Sequence, residues 1–176
     1  HTAAQDYVDY LKSIVDTDLT GLKVVLDCGN GTTSLYAKDI YSQFPNLDIT
    51  MICDESDPYF PNHHPDPAVL ANNRMLQDKV LEVKADIGIG FDGDGDRVGF
   101  VNELGEVVTI DQAMIIYIRY INEQVQNKKY LYDVKCSKAL EDEILKLGGT
   151  PICYRTGNCT IKFFMKKLDF SIRIGY

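Results

Sequence analysis

The sequence has no surplus of positive charge. Lysine and arginine number 18 against 26 aspartates and glutamates, a net charge of −8. Nucleic acid and anionic membrane surfaces both need a basic face, so neither is expected as a partner. A small anion is not excluded, because a few local Arg and Lys residues suffice to bind one. No two of the five cysteines, Cys28, Cys53, Cys136, Cys153 and Cys159, have C-x-x-C spacing. An odd set without ligand spacing argues against a disulfide framework and for free thiols in a reducing cytosol. Cys28, Cys53, Cys136 and Cys153 fall within or at the ends of expected strands and read as small buried hydrophobes. No apolar run reaches membrane-spanning length and no signal peptide opens the chain, so the expected location is cytoplasmic. The opening His1-Thr2-Ala3-Ala4 lacks Met and reads as a segment cut from a longer protein. Low-complexity sequence is absent. Tyr7, Tyr10, Tyr36 and Tyr41 are not interleaved with basic residues, so they read as packing residues and not as a base-stacking platform.

What is present is enough for a core: 45% of the 176 residues are hydrophobic. Tyr7, Leu11, Ile14 and Val15 recur at helical spacing. Lys23 to Asp27 is a β-rich run that enters the turn Cys28-Gly29-Asn30-Gly31-Thr32-Thr33, and a helix is expected from there through Ile40 and Tyr41. Strands follow at Ile49–Cys53 and Asp86–Phe91, with a helix over Asn72–Lys84 between them. Strand–helix–strand–helix–strand argues a mostly parallel, right-handed sheet. Val98–Val101 is a further strand, closed by a hairpin turn at Glu103-Leu104-Gly105-Glu106. Beyond it, Asp111 is expected to N-cap a helix through Asn122. A strand at Tyr130–Lys135, a Ser137-capped helix to Leu147, a strand at Pro151–Tyr154, a helix at Asn158–Lys167 and a last strand near Ser171–Ile174 complete the pattern. The predicted fold is α/β: two consecutive α/β/α three-layer units with mixed, mostly parallel sheets, residues 1–104 and 105–176, the second unfinished.

The run Gly90-Phe91-Asp92-Gly93-Asp94-Gly95-Asp96-Arg97 lies between two apolar stretches. Three carboxylates at alternate positions repel one another by roughly 4 kcal/mol per pair at an effective dielectric of about 20. The glycines between them let the backbone turn tightly enough to aim all three at one centre. A hard divalent ion with oxygen ligands, Mg²⁺ before others, is the natural occupant. An EF-hand needs Gly at its sixth position, where Arg97 stands, and flanking helices where strands are expected. His63-His64 with Asp66 is a poor transition-metal set, because adjacent side chains diverge in an extended chain stiffened by Pro61 and Pro65. It reads instead as a domain-interface loop. Gly29-Asn30-Gly31 before a helix is either a phosphate cradle or a simple tight turn.

Asp92-Gly93-Asp94-Gly95-Asp96-Arg97 resembles the metal loop of the α-D-phosphohexomutases. So, in order, do Asp27-Cys28-Gly29-Asn30-Gly31, Phe60-Pro61-Asn62-His63-His64-Pro65-Asp66-Pro67, Gly105-Glu106 ahead of the next helix, Asp133-Val134-Lys135-Cys136-Ser137 and Tyr154-Arg155-Thr156-Gly157, with Ile161-Lys162 beyond. The resemblance implies the second domain of a four-domain enzyme and most of the third. The phosphoserine domain would precede the chain, and the phosphate-gripping domain would follow it. The chain ends at Gly175-Tyr176, about where the third domain's Glu-x-Ser-Gly-His sugar loop would begin. The implied reaction moves a phosphoryl group between O1 and O6 of a hexose phosphate through a hexose 1,6-bisphosphate. Asp92, Asp94 and Asp96 would hold Mg²⁺. Arg97 and Lys135 would be catalytic, Arg97 as a cation near the phosphoserine and Lys135 as a proton-transfer or phosphoryl-holding group. Arg155, Thr156 and Gly157 would read the sugar. The family commonly has His where this chain has Asn158, which leaves an aminosugar phosphate mutase and a non-catalytic metal-binding module as alternatives.

Overall fold

The computed structural model describes residues 3–15, 17–168 and 172–173. His1, Thr2, Ser171, Ile174, Gly175 and Tyr176, which bear on the reading of the two ends, lie outside them. The chain divides into two compact units, His1–Val108 and Thr109–Tyr176.

The first unit holds helices α1 (Ala3–Ile14), α2 (Ala37–Tyr41) and α3 (Arg74–Val83) and strands β1 (Lys23–Asp27), β2 (Asp48–Ile52), β3 (Ile87–Phe91), β4 (Val98–Asn102) and β5 (Val107–Val108). Its sheet has the order β2-β1-β3-β4-β5. β1 runs parallel to β2 and β3, while β4 and β5 add on antiparallel. The middle of β1, Val24-Val25-Leu26, is apolar because both of its faces are covered. Val25 packs with Leu76, Val80, Ala85 and Val101, whereas Val24 and Leu26 pack on the opposite face with Cys28 and Ala37. This is the two-residue period of a strand read against α3 on one side and α2 on the other. α3 lies close on β3: a Cβ at Gly88 would sit 2.7 Å from Val80 Cγ2 and 2.9 Å from Leu76 Cδ1.

The second unit holds α4 (Ile110–Ile121), β6 (Lys129–Asp133), α5 (Lys138–Lys146), β7 (Thr150–Tyr154), α6 (Asn158–Leu168) and β8 (Ile172–Arg173). β6 lies between β7 and β8, parallel to both. Met114, Ile118, Tyr130, Tyr132, Leu140 and Ile144 form its core. Buried Tyr130 finds a partner for its hydroxyl in Asn122 Oδ1 at 2.8 Å. Both units are thus α/β, the first with a mixed sheet and the second with a parallel one. No helix among the described residues is long and apolar enough to cross a membrane.

Several expected details differ. The helix after β1 is broken into a 3₁₀ turn, Thr32–Leu35, and the short α2. The Ser34 hydroxyl donates to Gly31 O at 2.6 Å, and such side-chain bonds compete with helix formation. The helix expected from Asn72 likewise opens with a 3₁₀ turn, Leu70–Asn73. The N-cap of α4 is Thr109, not Asp111, because Thr109 and Gln112 form a reciprocal capping box. Asp111 instead accepts the Ser137 amide at 2.8 Å. The Ser137 side chain makes no capping bond of its own. The strand expected to Lys135 stops at Asp133, whose Oδ1 accepts the Lys135 amide and turns the chain. On α1 the buried residue is Val8. Tyr7 and Leu11 line a cavity of about 370 Å³ with Tyr36, Ile40 and Tyr41, and Ile14 and Val15 are exposed. Cys28 and Cys53 are buried as expected, but Cys136 is half-buried and Cys153 is exposed on the outer strand of its sheet.

The long connection after β2 is fastened to β1 by a partly buried pair. His63 Nε2 lies 3.0 and 3.2 Å from the two carboxylate oxygens of Asp27, which is 2% exposed at the end of β1. His63 Nδ1 lies 3.0 Å from His64 O. Both ring nitrogens face oxygen acceptors, so the ring is held as an imidazolium. The Asp27 bond first, then one to Cys53, push His63 from 6.5 up to about 10 against the opposing effect of burial. The folded value therefore lies above the unfolded one. The pair's contribution is complete below about pH 6.5 and is lost as pH rises through about 10. Between those pH values, thermal melts should show a larger fall in midpoint for the native chain than for His63→Gln. Equal falls would show that His63 is not charged in the fold.

Candidate functional site

The parallel strands β1, β2 and β3 all end on one edge of the sheet, and the turns leaving that edge pack on one another. The turn after β1 meets the acidic loop between β3 and β4 directly. Thr32 N–H donates to Gly93 O at 3.0 Å, and a Cβ on Gly31 would sit 2.6 Å from that same oxygen. Glycine at position 31 is therefore required by close approach. The amides around it are already committed: Gly29 to Asp27 Oδ1, Asn30 to Cys53 O and Gly31 to Cys28 O. None of the four points outward for an anion, so this turn is a packing device and not a phosphate cradle.

Asp92, Asp94 and Asp96 are brought together at the hairpin tip, each offering a carboxylate oxygen within 4.8 Å of the others. Asp92 is 1% exposed, and Asp94 and Asp96 are open to solvent. Burial opposes ionisation of Asp92, but the backbone amide and guanidinium of Arg97 outweigh it and hold the carboxyl below its usual range. Asp96 is pushed up by the charge of Asp94 and then of Asp92. The cluster thus carries more negative charge than its protein neighbours neutralise. A set of hard oxygen donors with such an excess fits Mg²⁺.

Arg97 closes the loop. Its amide donates to Asp92 Oδ1 at 3.0 Å, its Nε to Asp92 Oδ2 at 2.7 Å and its Nη1 to Asp66 Oδ1 at 3.0 Å. Half of its side chain remains exposed. Asp66 and His63 turn to different partners, Arg97 and Asp27, so His63-His64-Asp66 does not converge on a metal. A second group, Asp27, Cys53 and His63, has donor atoms within 4.8 Å of one another. The Asp27–His63 separations there are those of direct hydrogen bonds.

In the second unit the expected residues gather around Asp133, a carboxylate with no exposed surface. Its Oδ1 accepts the Lys135 amide and the Thr156 hydroxyl, both at 2.8 Å. Its Oδ2 has no hydrogen-bond partner among the described residues. Lys135 and Thr156 are therefore positioned by one side chain. Arg155 is exposed beside Thr156. Gly157, at φ 139°, leads into α6 and accepts the Ile161 amide at 2.8 Å. Tyr154 stacks on Phe164 at 4.2 Å, which fixes the strand end that carries the Arg155–Gly157 turn.

Sequence reasoning gave no role to Asp66, Asp133 or the Asp27–His63 pair. Each is an acidic residue whose partner lies far away in sequence or across a turn. The local sign was that Asp commonly bonds the amide two residues on, as Asp27, Asp66 and Asp133 do with Gly29, Ala68 and Lys135.

Residues 5–105 match the family model described as phosphoglucomutase/phosphomannomutase, alpha/beta/alpha domain II. A phosphomannomutase/phosphoglucomutase of Pseudomonas syringae pv. tomato is 39% identical over 160 residues, which are 90% of this chain and 34% of that protein. The chain thus spans about a third of the length of such relatives. A phosphoglucomutase/phosphomannomutase family protein of Burkholderia thailandensis superposes with a TM-score of 0.89 at 30% identity, over 99% of this chain and 38% of that one. The N-acetylphosphoglucosamine mutase of Aspergillus fumigatus, solved with GlcNAc-6P and magnesium, has a TM-score of 0.63 at 17% identity over 88% of this chain and 33% of its own, a likeness of fold alone. A variant of that mutase was solved with glucose 1,6-bisphosphate. The family model covers more than half of the residues and the relatives agree with it, so the chain belongs to the phosphoglucomutase/phosphomannomutase family, the α-D-phosphohexomutases.

Proposed function

We propose that the chain is the central part of a Mg²⁺-dependent phosphohexomutase that moves a phosphoryl group between O1 and O6 of a hexose phosphate. Residues 1–104 act as its second domain and 105–176 as part of its third. The phosphoserine and the remaining phosphate contacts come from domains outside the chain. The observation that carries this reading is the hairpin tip, where three convergent carboxylates are joined to a half-exposed guanidinium.

Asp92, Asp94 and Asp96 hold the ion. The chemistry the ion would supply there is Lewis-acid neutralisation of charge on a phosphoryl group. Arg97 adds a second, fixed positive charge beside the loop. Lys135 holds phosphoryl oxygens or moves a proton at the sugar hydroxyl. The turn Arg155-Thr156-Gly157 contacts the sugar, and Asp133 keeps Thr156 and Lys135 in step. The sugar leaves its first orientation as a hexose 1,6-bisphosphate and returns in the opposite one.

The isolated chain should show no turnover of glucose 1-phosphate, mannose 1-phosphate or an aminosugar 1-phosphate, while the full-length enzyme should turn over at least one and thereby define its class. Turnover by the chain alone at rates near those of the intact enzyme would overturn the division of labour. In the full-length enzyme, Asp94→Asn should abolish Mn²⁺ binding at the loop, read by calorimetry, along with activity. Retained binding would place the ion elsewhere. Asp133→Ala, which removes the acceptor of both bonds, should lower kcat/KM by at least roughly tenfold, the kinetic equivalent of about 1.4 kcal/mol. An unchanged kcat/KM would remove Asp133 from the positioning of Thr156 and Lys135.

A further inference from the structure

Arg97 bridges two carboxylates that stand on different loops. Its Nε donates to Asp92 Oδ2 at 2.7 Å and its Nη1 to Asp66 Oδ1 at 3.0 Å. Asp92 is the buried member of the acidic triad, and its Oδ1 already accepts the Arg97 amide at 3.0 Å. Oδ2 is thus the oxygen for which a guanidinium and a divalent ion make the same demand. Asp96 is a weaker partner for the guanidinium, with its oxygen 3.8 Å from Nε. Asp66 differs from both because it stands outside the triad. Its loop is fastened to the end of β1 by the partly buried His63–Asp27 pair, and its Oδ1 also accepts the Ala68 amide at 3.1 Å. Its carboxylate therefore has a fixed position, 24% exposed, beside the loop but not in it.

We propose that Asp66 is a positioning residue that retains the Arg97 guanidinium when Asp92 Oδ2 turns to a divalent cation, and so sets the cation affinity of the loop through Arg97. The inference rests on the reading of the hairpin tip as a metal site. With Asp66 ionised, the guanidinium keeps a strong carboxylate partner after giving up Asp92. Without that charge, its carboxylate partners are Asp92 and Asp96, both cation ligands, and an incoming ion must compete with it for them. Asp66 thereby also decides where the guanidinium stands once the ion is bound: beside the loop, available to a phosphoryl oxygen, and not folded onto the ligands.

The test is a double-substitution cycle in the full-length enzyme, read as Mn²⁺ affinity from the free-ion signal in electron paramagnetic resonance at fixed ionic strength. Asp66→Asn should weaken Mn²⁺ binding several-fold. Arg97→Gln should tighten it, because the competing cation is gone. Adding Asp66→Asn to Arg97→Gln should then change nothing, because Asp66 acts only through the guanidinium. Equal weakening by Asp66→Asn on both backgrounds would show a plain loss of neighbouring negative charge and overturn the proposal. So would an unchanged affinity for Asp66→Asn alone, or no tightening by Arg97→Gln. A thermal melt of each protein identifies any variant that fails to fold. If Asp66→Asn fails to fold, Asp66→Glu, which keeps the charge at a different reach, takes its place and should shift the affinity only on the Arg97 background. Absence of Mn²⁺ binding by the unsubstituted full-length enzyme overturns the metal reading and this proposal together. Binding with additive effects overturns this proposal alone.

Discussion

Repulsion among Asp92, Asp94 and Asp96 is the constraint to which the surrounding loops answer. Three carboxylates with oxygens within 4.8 Å of one another do not stay together on their own account. The protein meets part of that charge locally. The Arg97 amide and guanidinium take both oxygens of the buried Asp92. Arg97 in turn is held from outside the triad by Asp66, whose loop the Asp27–His63 pair fastens to β1. The turn after β1 contributes no charge. It contributes fit, with Gly31 pressed against Gly93 so that the acidic tip cannot spread on that side. What remains unbalanced is the exposed rim of Asp94 and Asp96, where the proposed divalent cation would sit.

The fold was largely legible because β1, β3 and the helices between them carry their burial in their spacing. Lys23–Asp27 reads as a strand and is β1. The helix expected over Asn72–Lys84 holds α3, with Leu76 and Val80 buried and Met75 exposed. The misreadings share a cause. α1 was assigned its apolar face from Tyr7, Leu11, Ile14 and Val15, but helical spacing says which residues share a side and not how much cover that side receives. Thr109 lost the N-cap to Asp111 on paper because Asp is as good a cap as Thr. The reciprocal bond to Gln112 is what decides it. Ser and Thr after β1 shortened a helix through hydroxyl bonds that no periodicity reports.

The site was legible in a narrower way. Residues that face one another within a short loop, such as the three aspartates and Arg97, declare themselves through charge that needs an explanation. Residues that act by holding others do not. Asp66 looked like a member of a histidine cluster, and Asp133 like the start of a motif whose lysine drew attention. Their roles depend on contacts with Arg97 and Thr156, residues that sequence spacing does not bring near them.

The acidic tip also closes an antiparallel hairpin where the parallel part of the sheet ends, with Phe91 opposite Val98. That makes its assembly cheap in chain entropy. β3 and β4 are joined by a few residues, whereas β1 must find β3 across two helices and the long Asp66 loop. Closure entropy grows with the separation of the ends, and local pairings form before distant ones. On the folding pathway the acidic loop, with Arg97 inside it, is therefore an early structure, and the loop that places Asp66 arrives late. A nascent chain passes through an interval in which the triad and Arg97 are formed and Asp66 is not yet in place. In that interval the guanidinium has Asp92 and Asp96 as its carboxylate partners, so the loop forms as an internal ion pair before Asp66 can draw the guanidinium aside.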